Sequence, residues 1–125
     1  MCVVEGFLHR VGKRARRRII EVLALGRSRR ELAEQLGVSA TAVVKYLDGR
    51  THPSDEVLAR AISIASPEEK REISEIIGED LRESIEDFIS WCIEEGVFPG
   101  RVLSSIEKSI LRAKLAVVGS RPELG

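Results

Sequence analysis

The sequence has few aromatic residues and few cysteines, and both shortages narrow the choice of fold. Aromatic residues occupy 4% of the 125 positions although 43% are hydrophobic, so a core must consist mainly of leucine, isoleucine, valine and alanine. Such a core is typical of packed helices, and no alternating β pattern is present. Cys2 and Cys92 are too few and too unpatterned to indicate a disulfide framework. We therefore expect an all-α protein with reduced thiols, Cys92 being a small core residue.

Long hydrophobic runs and side-chain amides are also lacking. No apolar run approaches the length of a membrane span, and the amino terminus does not resemble a signal peptide. These absences predict a soluble, cytoplasmic protein. The chain contains no asparagine, one glutamine, and 15 arginines among its 20 basic residues. This bias is typical of heat-adapted proteins, and a GC-rich genome produces some of the same bias.

The formal net charge of zero conceals an uneven distribution. Residues 1–60 contain 12 Lys or Arg against 7 Asp or Glu, whereas residues 61–125 contain 8 against 13. Phosphate binding requires basic residues, so the first half is the part suited to nucleic acid. The acidic second half is expected to face away from it.

The most informative stretch runs from residue 28 to residue 54 and predicts two short helices joined by a tight turn. Ser28 and Glu31 have the spacing of a capping box at a helix start. Gly37 is placed for the left-handed conformation that ends a helix, and Ser39 can cap the next one. Apolar residues fall on one face of each helix: Leu32, Ala33, Leu36, Val43, Tyr46 and Leu47. This pattern predicts a helix-turn-helix, whose second helix fits the DNA major groove.

The segment LAEQLGVSATAVVKYLDGRTHPS resembles the XRE family of phage-repressor-like helix-turn-helix regulators, over roughly residues 19–64. The resemblance lies in the LGVS turn before the recognition helix and in the YLxGxxxPS segment that leads into a fourth helix. It implies a module of four to five helices that binds double-stranded DNA, commonly as a homodimer on palindromic sites. One departure is that the recognition helix begins with Ala40, Thr41 and Ala42, where Gln, Ser or Arg is common. The preceding helix also resembles resolvase and sigma-type three-helix domains.

The predicted DNA contacts lie in the two motif helices and the loop after them. They are Arg27, Arg29, Arg30, Ser39, Ala40, Thr41, Val44, Lys45 and Arg50. Short side chains such as Ala40 and Val44 suit thymine methyl groups, and Thr41 can also hydrogen-bond a base edge. Lys45 and Arg50 can reach phosphates or a guanine, while the three arginines before Ser39 are expected to hold the backbone. The alternative is that these residues cover the surface of a protein-binding domain.

A denser basic cluster precedes the motif, and two interpretations of it stay open. It comprises Arg10, Lys13, Arg14, Arg16, Arg17 and Arg18. The cluster either grips DNA, through the backbone or the minor groove, or forms a solvated helix face that pairs with acidic residues. Ile19 and Ile20 resume the apolar pattern directly after it, so the sequence does not decide between the two.

Beyond residue 65 the sequence predicts an acidic helical region. Ser66-Pro67-Glu68-Glu69 is a strong helix start, and that helix is predicted to end near Gly78. An amphipathic helix over 79–95 follows, and after Gly96 and a Pro99-Gly100 turn a last helix begins at Arg101. A stripe on the amphipathic helix is the predicted dimerisation surface, or else an ordinary core: Ile85, Phe88, Ile89, Trp91 and Cys92. The expected domains are a helix-turn-helix DNA-binding domain at residues 1–65, an acidic dimerisation or partner-binding region at 66–118, and a flexible tail at 119–125.

No pattern of catalytic or metal-binding residues is present in the sequence. His9, His52 and the two cysteines lack the spacing of metal ligands. The carboxylates of 79–87 alternate with apolar residues, as on a solvated helix face, and no phosphate-binding glycine loop or nucleophile elbow occurs. We therefore expect no enzyme and no cofactor. The sequence predicts a homodimeric, sequence-specific transcriptional regulator, and the alternative is a helical adaptor or a non-specific, architectural DNA tether with a protein partner.

Overall fold

The computed structural model describes residues 3–120, and this part of the chain contains seven α-helices and no β-strand. They are α1 (Val3–Leu8), α2 (Lys13–Ala24), α3 (Arg29–Leu36), α4 (Ala40–Leu47), α5 (Asp55–Ile64), α6 (Pro67–Glu95) and α7 (Gly100–Ser120). The all-α prediction is confirmed. α7 continues to Ser120, so residues 119 and 120, predicted to belong to a flexible tail, are helical. Cys2 and residues 121–125 lie outside the described residues.

The two motif helices α3 and α4 form where their local signals predict them. Ser28 Oγ accepts a hydrogen bond from the backbone N–H of Glu31 at 3.0 Å, and Ser39 Oγ accepts one from Ala42 at 3.0 Å. Each bond satisfies a donor that the first turn of a helix leaves without a backbone partner. Gly37 ends α3 in the left-handed conformation, with φ +72°. Ser28 thus fixes the start of α3, while Gly37 and Ser39 fix the turn between α3 and α4.

The apolar faces of α1 to α6 meet in one buried core. Its largest fully buried aliphatic side chains are Leu8, Ile19, Ile20, Leu23, Leu32, Leu36, Val43 and Leu58. Burying a side chain of this size stabilises the fold by roughly 1.5–3 kcal/mol. Val38, in the turn, packs against this core, and its N–H donates to the carbonyl of Ala33 at 3.0 Å. The core therefore holds α4 by its inner face and leaves its outer face free.

Helix α6 begins as predicted but extends much further. Ser66 and Glu69 form a reciprocal capping box, in which Ser66 Oγ accepts from Glu69 N–H at 3.1 Å and Glu69 Oε1 accepts from Ser66 N–H at 2.9 Å. The predicted helix end near Gly78 is wrong, because α6 runs without interruption to Glu95. A glycine inside a helix costs only about 1 kcal/mol relative to alanine. Beyond Gly78, Leu81 packs against the core and Asp80 accepts the hydrogen bond of Gly12, and these contacts outweigh that cost.

The chain divides into two compact units after Glu86, rather than after residue 65 as predicted. The reason is that Ile73, Ile76 and Ile77 of α6 belong to the same core as the preceding helices. In addition, an Asp80 carboxylate oxygen accepts a hydrogen bond from the backbone N–H of Gly12 at 3.0 Å. The first two-thirds of α6 is therefore part of the amino-terminal unit.

The second unit begins at Asp87 and consists of the end of α6, a short turn and α7. Gly96 has φ +68° and the next helix starts at Gly100, so the predicted break between the helices is confirmed. Cys92 is buried, whereas every residue from 107 to 119 is exposed. Most of α7 thus has no covering layer among the described residues.

Replacing Gly78 by alanine is expected to stabilise the protein, whereas the same change at Gly37 is expected to destabilise it. Nothing lies within 4 Å of a Cβ at Gly78, and alanine is favoured over glycine in a helix interior by about 0.5–1 kcal/mol. At Gly37 the positive φ strains any side chain, and the new Cβ meets the guanidinium of Arg60. We expect a loss of about 1–2 kcal/mol there. Urea unfolding measures both changes, and shifts of the same sign would contradict this account.

Candidate nucleic-acid interface

The outward face of α4 carries four of the predicted DNA contacts. Ala40, Thr41 and Lys45 are exposed, and Val44 is half-buried beside them. The inner face of the same helix is anchored in the core by residues such as Val43. The helical period separates the two sets, since residues three or four apart share a face. The structure therefore brings the four residues together on one accessible surface.

The amino ends of α3 and α4 carry three further predicted contacts, Arg29, Arg30 and Ser39, and all three are exposed. Arg30 Nε lies 3.8 Å from Glu34 Oε1, a loose surface pair of little energetic weight. The amino end of a helix also presents backbone N–H groups and a partial positive charge, which favour phosphate. Both arginines are thus accessible to a nucleic-acid backbone.

Two cations lie at the loop after α4. Arg50 belongs to the loop, and Arg17, whose role the sequence left open, reaches it from α2. Arg50 Nη2 donates to Asp48 Oδ2 at 2.7 Å, and its side chain is 61% exposed. Arg17 of α2 donates from Nε to the carbonyl of Leu47 at 2.9 Å and lies against Gly49. Arg17 is exposed as well. Its place in the basic cluster was the available signal, but the sequence could not show that α2 brings it to the carboxyl end of α4.

Arg27 has a different place from the one predicted for it. Its guanidinium forms two hydrogen bonds with Glu69, at 2.7 and 3.0 Å, and its side chain is only 13% exposed. It also donates to Gln35 Oε1 and to the carbonyls of Leu23 and Ile64. The hydrogen bond from Arg27 lowers the pKa of Glu69 from its ordinary value. Arg27 thus links the turn before α3 to the start of α6, and its guanidinium is already engaged.

Arg16 is buried, unlike its neighbours in the basic cluster. Its guanidinium donates to the carbonyls of Leu8, Val11 and Pro53 at 2.7–2.9 Å and to Asp55 Oδ1 at 2.7 Å. The Arg16 hydrogen bond is the main cause that lowers the pKa of Asp55. Arg16 therefore joins α1, the start of α2 and the start of α5. It serves neither of the two roles that the sequence left open for the cluster.

The remaining members of the cluster are exposed: Arg10, Lys13, Arg14 and Arg18. Arg14 and Arg18 line a cleft together with Asp80 and Glu83 of α6. The opposite charges across the cleft attract each other, although solvent screens much of the effect. The arrangement favours the interpretation of these two arginines as a face turned towards acidic residues of the same unit.

Residues 17–64 match the helix-turn-helix family model. The match spans α3, the turn at Gly37 and α4. Residues 17–64 are a helix-turn-helix domain of the XRE type. The resemblance predicted for residues 19–64 is confirmed, and the chain carries a DNA-binding domain. No curated protein and no solved structure matches the chain.

The helix-turn-helix family is one of DNA-binding domains, not of enzymes. Within residues 3–120, no helix is both long enough and apolar enough to cross a membrane. The same part of the chain contains no group of three or more His, Cys, Asp or Glu side chains that could hold a metal ion.

Outside the helix-turn-helix domain, four predicted dimerisation residues are exposed: Ile85, Phe88, Ile89 and Trp91. The rings of Phe88 and Trp91 stack with their centroids 6.3 Å apart. Cys92 is predicted to belong to the same surface, but it is buried, with only 4% of its surface exposed. The chain turns back directly after α6, where the N–H of Val97 donates to the Cys92 carbonyl at 3.0 Å. A short side chain at that point is covered within the chain and cannot reach a partner.

Proposed function

We propose that the protein is a sequence-specific transcriptional regulator that binds double-stranded DNA as a homodimer. The observation that carries the proposal is the accessible outer face of α4, with exposed cations beside its carboxyl end and at the amino end of α3. Arg29 and Arg30 lie at the amino end of α3, and Arg17 and Arg50 lie beside the carboxyl end of α4. A recognition helix needs a free face for the bases and flanking groups that hold the phosphates.

Base reading in this proposal depends on short side chains. Ala40, Thr41 and Val44 suit thymine methyl groups, Thr41 and Ser39 can hydrogen-bond, and Lys45 reaches a guanine or a phosphate. Because few long polar side chains face outwards, most of the affinity comes from phosphates and from the shape of the DNA. Each phosphate contact that is removed is expected to flatten the dependence of log affinity on log salt by about one unit.

A homodimer is proposed because the second unit exposes far more apolar surface than an isolated domain usually does. Twelve of its large hydrophobic side chains are at least 36% exposed: Phe88, Ile89, Trp91, Ile93, Val97, Phe98, Val102, Ile110, Leu111, Leu115, Val117 and Val118. Soluble monomers rarely expose apolar patches larger than a few hundred Å², and a standard interface buries about 800 Å² per partner. Pairing of two copies would place two recognition helices on successive half-sites of a palindrome.

Regulation in this proposal is steric. A dimer that covers a promoter blocks polymerase, whereas a dimer bound beside the promoter can recruit it. No effector site is part of the proposal, since the helix-turn-helix domain and the dimer are sufficient for either outcome.

Selection from fragmented genomic DNA tests the proposal. The purified protein is mixed with the fragments at near-physiological salt, and the retained fragments are sequenced. An enriched inverted repeat, with half-sites about one helical turn apart, is the expected result. Retention without an enriched sequence would overturn sequence specificity and favour an architectural or adaptor protein.

A further inference from the structure

A groove runs along the amino-terminal unit between one face of α2 and one face of α6. It has a volume of about 640 Å³ and is lined by Arg18, Glu21, Val22, Leu25, Glu72, Glu75, Ile76 and Glu79. Leu25, in this lining, is 88% exposed, the highest exposure among the large hydrophobic residues whose burial is described in the unit. The groove continues past Leu25 towards Glu31 and Glu68. Its floor is therefore apolar and its walls are mainly acidic.

The acidic walls are only partly neutralised. Glu69 is paired with Arg27, and Glu79 is paired with Arg82 of the same helix. Glu72 and Glu75 are exposed and have no hydrogen-bond or ion-pair partner anywhere in residues 3–120. A groove with an apolar floor and unpaired carboxylates along its walls is suited to bind a basic amphipathic helix.

Helix α7 of this chain has that chemistry. Leu111, Leu115 and Val118 follow one another at i, i+4 and i+7, so they form a single apolar ridge. Lys108 and Arg112 flank the ridge on one side and Lys114 flanks it on the other, by the helical period. All six residues are exposed, and none of the three cations has an ion-pair partner among the described residues. Glu107, the acidic residue of α7, precedes the ridge.

The two surfaces are also opposite in charge and similar in length. α6 contains eleven acidic and three basic residues, whereas α7 contains four basic and one acidic. The groove wall from Glu68 to Glu79 is about 16 Å long, and the segment of α7 from Lys108 to Val118 is about 15 Å long, at 1.5 Å per helical residue. An apolar strip with acidic margins thus matches an apolar ridge of similar length with basic margins.

We infer that the groove between α2 and α6 is the docking site for α7 of a second copy of this chain. The inference rests on the homodimer of the proposed function and specifies how the two copies hold each other. Each copy gives its own α7 and receives its partner's, so the contact occurs twice about a two-fold axis. Docking covers Leu25 and the α7 ridge, and it pairs Glu72 and Glu75 with lysine and arginine.

Charge reversal on each surface tests the inference, with sedimentation velocity as the measurement of self-association. The groove variant is Glu72→Lys/Glu75→Lys, and the helix variant is Lys108→Glu/Arg112→Glu. Each variant alone brings like charges together twice per dimer, and we expect its dimer to dissociate at least about tenfold more readily than the wild type. The matched control is Glu34→Lys/Glu56→Lys, which makes the same charge change at exposed sites outside the groove and is expected to leave the dimer constant unchanged.

Mixing the groove variant with the helix variant distinguishes partner docking from docking within one chain. In a mixed dimer the basic groove of the first variant meets the acidic helix of the second. The other contact joins the unchanged groove of the second variant to the unchanged α7 of the first, as in the wild type. The mixture, and the chain carrying all four changes, are therefore expected to recover dimers, which also shows that the variants fold. Recovery only in the four-fold variant would mean that α7 occupies its own chain's groove, and the inference would fail. Unchanged dimers of both single-surface variants would overturn it while leaving the homodimer intact, whereas a monomeric wild type would overturn both.

Discussion

The double variant Thr41→Glu/Lys45→Glu is expected to bind the selected DNA sites at least about 100-fold more weakly than the wild type at near-physiological salt. Both residues are exposed on the outer face of α4, one helical turn apart. In the proposed orientation this face enters the major groove between two phosphate backbones. The variant removes one cation and adds two anions there, so the electrostatic attraction becomes a repulsion.

The fold should tolerate these two changes, because neither side chain contributes to the core. Thermal unfolding is expected to change little, and fluorescence anisotropy at several salt concentrations separates weaker binding from loss of structure. The Lys70→Glu/Ser74→Glu variant on α6 is the matched control, since it makes the same charge change at exposed positions outside the helix-turn-helix domain. It is expected to keep most of the wild-type affinity. Equal losses in the two double variants would mean that α4 is not the DNA-reading element.

The elements of the fold that could be predicted from the sequence are those with a local cause. Ser28, Ser39 and Ser66 lie three residues before the backbone N–H groups that they accept from, and Gly37 occupies the left-handed position directly after α3. Each of these interactions is complete within a few neighbouring residues. Their spacing in the sequence therefore predicts both where a helix begins and where it ends.

Gly78 shows where the same local reasoning fails. A glycine after an apolar stretch resembles a helix end, but the chain at Gly78 keeps helical geometry through the whole of α6. What decides the outcome is packing on both sides of Gly78, since Ile77 before it and Leu81 after it both pack against helices distant in sequence. Tertiary packing of this kind overrides a weak local propensity.

The arginines show the corresponding limit for the site. Arg16, Arg17 and Arg27 look equivalent in the sequence. In the structure, Arg16 and Arg27 form hydrogen bonds that join helices and loops of the same unit, whereas Arg17 lies beside the recognition helix. Their partners are Pro53, Leu47 and Glu69, which are 30 or more residues away in the sequence. Side-chain type alone allows a phosphate contact for each of them, and the sequence predicts one only for Arg27. Only the packing of α2 against the loops and helices around it separates the three roles.

Replacing Arg16 by methionine is expected to lower the free energy of unfolding by about 2–4 kcal/mol. Methionine retains much of the aliphatic bulk but donates no hydrogen bond. The carbonyls of Leu8, Val11 and Pro53 would each lose their bond to the guanidinium in a place where that group is only 8% exposed. Buried acceptors without a donor cost free energy, and three hydrogen bonds are lost at once, although the Leu8 carbonyl keeps the one from the Val11 N–H at 3.0 Å. Urea unfolding followed by circular dichroism measures the change.

Two further variants show whether the loss arises from these carbonyls or from charge alone. Arg14→Met removes the same charge from an exposed position two residues earlier and is expected to shift stability by no more than about 0.5 kcal/mol. Asp55→Asn removes the charged partner of Arg16 but leaves all three carbonyl bonds, so its effect should be clearly smaller than that of Arg16→Met. If Asp55→Asn were as damaging as Arg16→Met, the ion pair would be the dominant interaction. If Arg16→Met were neutral, the guanidinium would not hold α1, α2 and α5 together.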